Sequence, residues 1–248
     1  MENMKIALVT GAMGGIGTDI CRQLVEDGFK VLATHRPGKE DAAQQWLEDE
    51  SFDSGTLNLL SLDVTDSTSC VEALKQVMKD YGTIDVLVNN AGITRDSAFK
   101  RMTFDKWNDV INTNLNSLFN VTQPVFYPMC EQGSGRIINI SSINGLKGQF
   151  GQANYAAAKA GMIGFSKSLA LESARSGVTV NVIAPGYTAT PMVNVLKDEI
   201  LDSIKAQIPL GRLAMPQEIA KAVSYLASEH AAYITGETLN INGGQYMH

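Results

Sequence analysis

IALVTGAMGGIG, residues 6–17, joins a short apolar run to a segment rich in glycine. Four consecutive apolar residues that lead into Thr10-Gly11 are typical of a strand buried on both faces. Apolar residues then recur at helical spacing until Asp27-Gly28, where glycine suits a helix C-terminus. The opening of the chain therefore predicts a strand, a glycine-rich turn and a helix.

Further apolar runs follow along the chain, and helical patterns lie between most of them. The runs cover residues 31–34, 57–62, 84–88, 137–140, 178–183 and 239–241. Strands that alternate with helices, without a linker or compositional break, predict one doubly wound α/β domain over residues 1–248, with a parallel sheet of about seven strands. A length of 248 residues would also allow two smaller domains, but the unbroken alternation favours one.

The composition is that of an ordinary globular protein. Hydrophobic residues make up 44% of the chain and charged residues 19%, which argues against disorder and collagen-like repeats. The net charge of −6 disfavours nucleic acid as a partner, because nucleic-acid-binding proteins favour basic surfaces. We therefore expect any anionic ligand to be held by local groups.

The sequence also bears on the compartment. The first apolar run is too short for a signal peptide, and no run approaches the ~20 residues of a membrane helix. The three cysteines, Cys21, Cys70 and Cys130, are widely separated and odd in number, which favours reduced thiols over disulfides or a metal site. These features predict a cytoplasmic protein without membrane contact or bound metal.

Polar and glycine motifs follow the carboxyl ends of the predicted strands. Because these ends lie along one edge of a parallel sheet, where open α/β sheets bind ligands, the motifs should meet in one crevice. In chain order they are the glycine-rich turn, Asp63, Asn89-Asn90-Ala91-Gly92, Ser141-Ser142 and Pro185-Gly186.

The glycine-rich turn is predicted to bind the pyrophosphate of a dinucleotide. Glycines permit a tight turn and let phosphate approach backbone N–H groups at the helix N-terminus. Alone, such a segment could be a turn of no chemical consequence, but its place between the first strand and helix favours cofactor binding. The predicted contacts are Gly11, Met13, Gly14, Gly15, Ile16 and Gly17.

The end of the second predicted strand indicates which cofactor binds. Folds that prefer NAD usually place a carboxylate ~20 residues after the glycine-rich turn. Here no carboxylate precedes Glu40, whereas Arg36 and Lys39 could pair with a 2′-phosphate. We therefore predict NADPH as the cofactor; the alternative is that both cations are solvated loop charges.

Four polar side chains are candidate catalytic residues. Tyr155 and Lys159 are four residues apart in an alanine-rich segment, so they share a helix face, and a nearby ammonium would lower the pKa of the phenol. Ser142 follows the fifth predicted strand, where its hydroxyl could bond a carbonyl oxygen. Asn114 is predicted to lie in a helix that faces the same crevice; the alternative is an amide satisfied within the helices.

Together these motifs resemble the short-chain dehydrogenase/reductase family, and the resemblance covers the whole chain. It implies a Rossmann-type fold in which Tyr155 donates a proton, Ser142 polarises a carbonyl, Lys159 holds the nicotinamide ribose and Asn114 anchors a water. It further implies a homotetramer with interfaces at the helix near Asn154 and at the C-terminal strand. Implied cofactor contacts are Asp63, Val64, Asn90, Ala91, Gly92, Tyr155, Lys159, Pro185, Gly186 and Thr188.

One place departs from the pattern of NADP-using relatives. Many of them carry a basic residue in the glycine-rich turn, where this chain has Met13-Gly14. Recognition of the 2′-phosphate would then rest on Arg36 and Lys39.

Within the family the chain is similar to 3-oxoacyl thioester reductases, of which some act on coenzyme A thioesters and others on acyl carrier protein. The segment between Ser142 and Tyr155 resembles the acetoacetyl-CoA reductases. At two places where carrier-protein reductases tend to have basic residues, this chain has residues 131–133 (Glu-Gln-Gly) and Leu171. The implied substrate contacts are Asp96, Ser142, Gln149, Phe150, Gln152 and Tyr187.

The resemblance thus implies NADPH-dependent reduction of acetoacetyl-CoA to 3-hydroxybutyryl-CoA, as in polyhydroxybutyrate synthesis. The first alternative is a 3-oxoacyl-[acyl-carrier-protein] reductase of fatty acid synthesis that docks its partner through Lys100, Arg101 or Lys106. The second is a non-catalytic NADP-binding sensor or structural protein. Such a protein should have lost part of the catalytic tetrad, which is complete here.

Overall fold

A computed structural model describes residues 4–195 and 197–247. The described residues form seven parallel strands in one sheet, with the order β3-β2-β1-β4-β5-β6-β7. This topology confirms the predicted doubly wound fold. The predicted domain of residues 1–248 includes positions 1–3, 196 and 248, which lie outside the described residues. The strands are β1 Ile6–Val9, β2 Lys30–His35, β3 Leu57–Ser61, β4 Val86–Asn89, β5 Gly135–Ile140, β6 Val178–Pro185 and β7 Thr238–Ile241.

Helices connect consecutive strands. They are α1 Gly15–Glu26, α2 Glu40–Asp49, α3 Ser67–Tyr81, α4 Phe104–Ile111, α5 Ser117–Gln132, α6 Ile143–Lys147, α7 Ala153–Ser173, α8 Pro191–Asn194, α9 Asp198–Ala206 and α10 Pro216–Ala227. Short 3₁₀ turns cover Phe99–Arg101, Ala174–Ser176 and Glu229–Ala231, and a π-helical turn, Asn112–Asn116, joins α4 to α5. Among the described helices, none is long and apolar enough to cross a membrane.

Both faces of the sheet are buried. In β1, Ala7 and Val9 belong to one hydrophobic cluster, which includes residues of α1 and α10. Ile6 and Leu8 belong to a second cluster, which includes residues of α3 and α5. Alternate side chains of a strand point to opposite faces, so a strand between two helical layers must be apolar throughout. This is why the strands could be recognised as continuous apolar runs.

The order in which strands are added to the sheet reverses between β1 and β4. Strands β1, β2 and β3 extend one way, and the chain then returns to place β4 on the other side of β1. The loops after β1 and β4 meet at this point: Asn90 donates its backbone N–H to Thr10 Oγ1 (3.0 Å) and its Nδ2 to the Gly11 carbonyl (2.9 Å). Such a reversal opens a crevice at the carboxyl edge, which is where this fold binds ligands.

Candidate active site

The start of α7 is held in place by a buried amide. Asn154 is fully buried, and its Nδ2 donates to the carbonyls of Lys106 (2.9 Å) and Arg95 (3.2 Å). These bonds tie the first turn of α7 to α4 and to the loop after β4. The next residue, Tyr155, is thereby positioned at the carboxyl edge of the sheet.

Tyr155 and Ser142 meet as the sequence predicts. Ser142 is the N-cap of α6, where its Oγ accepts the backbone N–H of Asn144 (3.1 Å). Burial raises the pKa of Tyr155 above its ordinary value, while a hydrogen bond with Ser142 acts in the opposite direction and the charge of Asp96 raises it further. The phenol is therefore protonated at neutral pH and is hydrogen-bonded to the hydroxyl that would contact a carbonyl oxygen.

Lys159 lies on the same face of α7 as Tyr155, but its ammonium bonds a backbone carbonyl. Lys159 is buried, and its Nζ donates to the carbonyl of Ile140 (2.6 Å) while lying 5.7 Å from the centre of the Tyr155 ring. Burial lowers the pKa of Lys159 to about 8. The expectation that this ammonium lowers the pKa of Tyr155 is thus wrong for this structure: the pKa of the phenol is raised, and burial is the largest cause.

Asn114 is fully buried in the π-helical turn rather than in a regular helix. Its Oδ1 accepts the N–H of Ile93 (2.8 Å) and its Nδ2 donates to the carbonyl of Ile93 (2.9 Å). The Asn114 side chain therefore matches the alternative prediction, an amide whose hydrogen bonds are satisfied inside the protein. The amide fixes the segment after β4, which includes Gly92, beside the catalytic residues.

We expect Asn114→Ala to lower the free energy of unfolding by about 1–3 kcal/mol, because both backbone groups of Ile93 lose their partner. Urea denaturation measures this loss. Asn116→Ala is the control, since Asn116 lies in the same turn but its amide makes an exposed bond to Asn112. Equal stability of the two variants would contradict the anchoring role of Asn114.

Three polar residues for which the sequence predicts no individual role bind α7 to the sheet; of these, only Ser141 belongs to a predicted motif. The Ser141 hydroxyl donates to the backbone carbonyl of Lys159 (2.9 Å), and Asn139 Nδ2 donates to Ser166 Oγ (2.8 Å). Ser141, Asn139 and Ser166 are all buried. The sequence did contain one signal: Asn139 is a polar residue among the apolar residues of β5. A buried polar group needs a hydrogen-bond partner, so a contact of this kind could have been expected.

The glycine-rich turn forms a cradle suited to phosphate. Gly11 has a φ of +62°, and a Cβ on Gly17 would lie 2.2 Å from the Gly11 carbonyl oxygen, so both positions require glycine. Within the described ranges, no side chain caps the N-terminus of α1, whereas Asp66 caps α3. The free N–H groups of α1 and its dipole suit an anion. Met13 and Ile16 pack partly against the core, which leaves backbone groups for the cofactor.

The remaining predicted cofactor contacts lie along the same edge. A Cβ on Gly92 would lie 3.4 Å from Asn114 Oδ1 and 3.6 Å from Lys159 Nζ, so glycine leaves open the space in front of these groups. Ala91 donates its N–H to Thr10 Oγ1 (3.1 Å). On the far side, Pro185 ends β6, Gly186 donates to the Ile241 carbonyl (2.8 Å), and Thr188 is buried.

Arg36 and Lys39 are exposed just beyond the end of β2. Across from them, hydrogen bonds from the hydroxyl and N–H of Thr65 lower the pKa of Asp63, and the charge of Arg36 acts in the same direction. Val64 is buried beside it. Arg36 is thus close enough to Asp63 to lower the pKa of its carboxyl group. Both residues lie at the edge of the sheet where the adenosine end of a dinucleotide would bind.

A directed chain of amides connects three residues near Tyr155. Asn144 Nδ2 donates to Gln152 Oε1 (2.9 Å), and Gln152 Nε2 donates to Asp96 Oδ2 (2.9 Å). An ionised carboxylate can only accept, so Asp96 fixes the orientation of Gln152, and Gln152 fixes that of Asn144. Both ends of the Gln152 amide are therefore engaged within the protein.

The other predicted substrate contacts are more open. Gln149 and Phe150 are exposed, with Phe150 at 89% of its full accessible surface. Tyr187 is half-buried and lines a small cavity together with Ile208 and Leu210. Phe150 therefore lies at the mouth of the site, and an acyl-pocket role for these residues stays a prediction.

The sequence pattern described as short chain dehydrogenase matches residues 5–200. The chain belongs to the short-chain dehydrogenase/reductase family. It is 59% identical to an acetoacetyl-CoA reductase of Acinetobacter sp. (strain RA3849) over 100% of both chains. It is 51% identical to the 3-oxoacyl-[acyl-carrier-protein] reductase FabG of Salmonella typhimurium over 98% of both chains. It is also similar to the nodulation protein G of Azospirillum brasilense, at 55% identity over 98% of both chains. Membership in this family makes the protein an oxidoreductase that uses a nicotinamide cofactor.

Proposed function

We propose that the protein reduces acetoacetyl-CoA to 3-hydroxybutyryl-CoA with NADPH. The observation that carries this proposal is the Tyr155 phenol, protonated and bonded to Ser142, beside a buried lysine at the ligand edge of the sheet. The Acinetobacter relative named acetoacetyl-CoA reductase supports the choice of substrate. A complete tetrad argues against a non-catalytic NADP-binding sensor or structural protein.

A nicotinamide cofactor held by the glycine-rich turn and Lys159 would supply the hydride for the 3-oxo carbon of the substrate. The hydroxyls of Ser142 and Tyr155 hydrogen-bond the carbonyl oxygen, where negative charge develops. Tyr155 then donates its proton to that oxygen and completes the alcohol. The raised pKa of Tyr155 does not impede this step, because an alkoxide is a much stronger base than a phenolate.

Two further residues arrange the reacting groups. Lys159 would hold the nicotinamide ribose from the space in front of Gly92. The Asn114 side chain uses one N–H and one lone pair on Ile93, so a water anchored at this residue would bond the second N–H or the second lone pair of the amide. π-helical turns often occur at functional sites, which fits this role.

The preference for NADPH is assigned to Arg36 and Lys39. We expect Arg36→Ala, alone or with Lys39→Ala, to weaken NADPH binding selectively and to narrow the preference over NADH. A charge-assisted hydrogen bond contributes about 1.5–3 kcal/mol when buried and less when exposed, so the loss at these exposed groups should lie below that range. Titration of cofactor fluorescence measures both affinities. A wild-type enzyme that binds NADH and NADPH equally would refute the assignment.

The runner-up substrate is an acyl-carrier-protein thioester, as the name of the Salmonella relative suggests. Against it stand the exposed Glu131 and Leu171, because an acidic carrier protein needs basic partners. We expect kcat/KM for acetoacetyl-CoA to exceed that for acetoacetyl carrier protein. A preference of tenfold or more for the carrier protein, ~1.4 kcal/mol in the transition state, would reverse the assignment.

We also propose a homotetramer built on α7 and β7, as in the family resemblance. The small residues Ala156, Ala157 and Ala160 would permit close packing between copies of α7, and two of them, Ala157 and Ala160, are exposed in the single chain. Sedimentation at micromolar concentration measures the assembly. A stable monomer would contradict it.

A further inference from the structure

Two loops are fastened together at the mouth of the catalytic site. Ser97 donates its N–H to the Gly151 carbonyl (2.8 Å), and Gln152 bonds Asp96 (2.9 Å). The 3₁₀ turn Phe99–Arg101 follows directly and so lies beside the loop that carries Phe150. Since Asp96 affects the pKa of Tyr155, this junction is close to the reacting groups.

The junction carries an unusual set of exposed side chains, called here the entrance surface: Phe99, Lys100, Arg101, Lys147 and Phe150. Phe99 is 75% exposed and Phe150 89% exposed. Lys100 and Arg101 are exposed and form no ion pair with any residue in the described ranges, and Lys147 bonds only the amide of Gln149 (3.4 Å). Two exposed rings and three exposed cations are thus carried by two loops that are hydrogen-bonded to each other.

We infer that the entrance surface binds the 3′-phosphorylated adenosine diphosphate of a coenzyme A thioester. This inference rests on the proposed function and adds the place where the nucleotide of its substrate binds. Lys100 and Arg101 would pair with the phosphates, for which the guanidinium and ammonium groups are suited. The rings of Phe99 and Phe150 would offer faces to the adenine, since bases stack on exposed aromatic side chains. The pantetheine arm would then pass over the joined loops toward Tyr155.

The charge pattern favours this occupant over an acidic carrier protein. The free cations are few, with two of them adjacent on one 3₁₀ turn. At the two places where carrier-protein reductases tend to have basic residues, this chain has the exposed Glu131 and Leu171, so a nucleotide, which needs only a compact set of cations, suits this surface better. In a chain with a net charge of −6, local cations of this kind are also what a tetra-anionic ligand requires.

The experiment compares acetoacetyl-CoA with acetoacetyl-pantetheine, which has the same acyl group and arm but no nucleotide. In Lys100→Glu/Arg101→Glu, we expect the ratio of kcat/KM for the coenzyme A thioester to that for the pantetheine thioester to fall by ~10-fold or more. Lys75→Glu/Lys79→Glu is the control, because it makes the same change of charge on two exposed residues of α3. We expect this control to keep the wild-type ratio.

Several results would overturn the inference. The first is an unchanged ratio, which includes an equal loss for both thioesters. The second, with acetoacetyl carrier protein measured alongside, is a loss confined to that substrate. The third is a change of oligomeric state by light scattering, which would make the surface an interface between copies. Failure of the proposed function is a separate result: the wild-type enzyme would then reduce neither thioester.

Discussion

We expect Tyr155→Phe to lower kcat for carbonyl reduction by ~10²-fold or more while leaving folding and cofactor binding nearly unchanged. The variant removes one hydroxyl, which is the proton donor, and retains the ring in α7. Ser142 keeps its bond to the Asn144 N–H, so the neighbouring cap should survive. Single-turnover kinetics with acetoacetyl-CoA and fluorescence titration with NADPH measure the two quantities.

Tyr225→Phe is the matched control, because Tyr225 is an exposed tyrosine on α10. Its kcat should equal that of the wild type. Near-normal turnover in Tyr155→Phe would disprove the proton-donor role and with it the proposed mechanism.

Lys159→Met should show two effects of opposite sign. Methionine fills a similar volume without charge, so the variant loses the group that would hold the nicotinamide ribose, and we expect kcat to fall by ~10²-fold together with cofactor affinity. The same variant should be more stable than the wild type at pH 7, by roughly 1–3 kcal/mol, because it no longer buries an ammonium. Urea denaturation of the two proteins without cofactor measures the gain.

The pH dependence of stability provides an independent check. Burial lowers the pKa of Lys159 from 10.5 to about 8 in the folded state. Below pH 8 both folded and unfolded chains carry the proton, and the full cost of the buried charge opposes folding. Between pH 8 and 10.5 the unfolded chain binds more protons, so the contribution of Lys159 makes stability rise with pH.

The difference in stability between Lys159→Met and wild type should therefore shrink from pH 7 to pH 9.5. Lys167→Met is the control, since Lys167 is exposed on the same helix, and its difference should stay constant. A constant difference for Lys159→Met would show that its ammonium is not destabilised by burial.

The sheet was predictable from sequence because its inner strands, β1, β2, β4, β5 and β6, are buried on both faces and stand out as apolar runs. The edge strands β3 and β7 are only partly buried. Turn chemistry at Gly11 and the spacing of Tyr155 and Lys159 are likewise local properties. Arg36 could be placed for the same reason, since it follows directly on a strand end. Local patterns of this kind predict structure because local preferences and the overall fold agree.

The pairing of buried polar groups could not be predicted, since it depends on which segments meet in space. The amide of Asn114 bonds Ile93, twenty-one residues away, and the ammonium of Lys159 bonds Ile140 rather than acting on Tyr155. Burial reversed the expected shift of the tyrosine pKa. Desolvation is a property of the whole surrounding volume, so residue spacing along one helix could not reveal it.

The amide chain from Asn144 through Gln152 to Asp96 has a fixed direction. Asp96 is its only member that cannot donate, so the carboxylate orients the Gln152 amide, which in turn orients that of Asn144. Asparagine at position 96 could donate or accept, and the amides of Gln152 and Asn144 could then reverse together. A single carboxylate at the mouth of the site thereby sets which hydrogen-bonding atoms the residues beside Ser142 present.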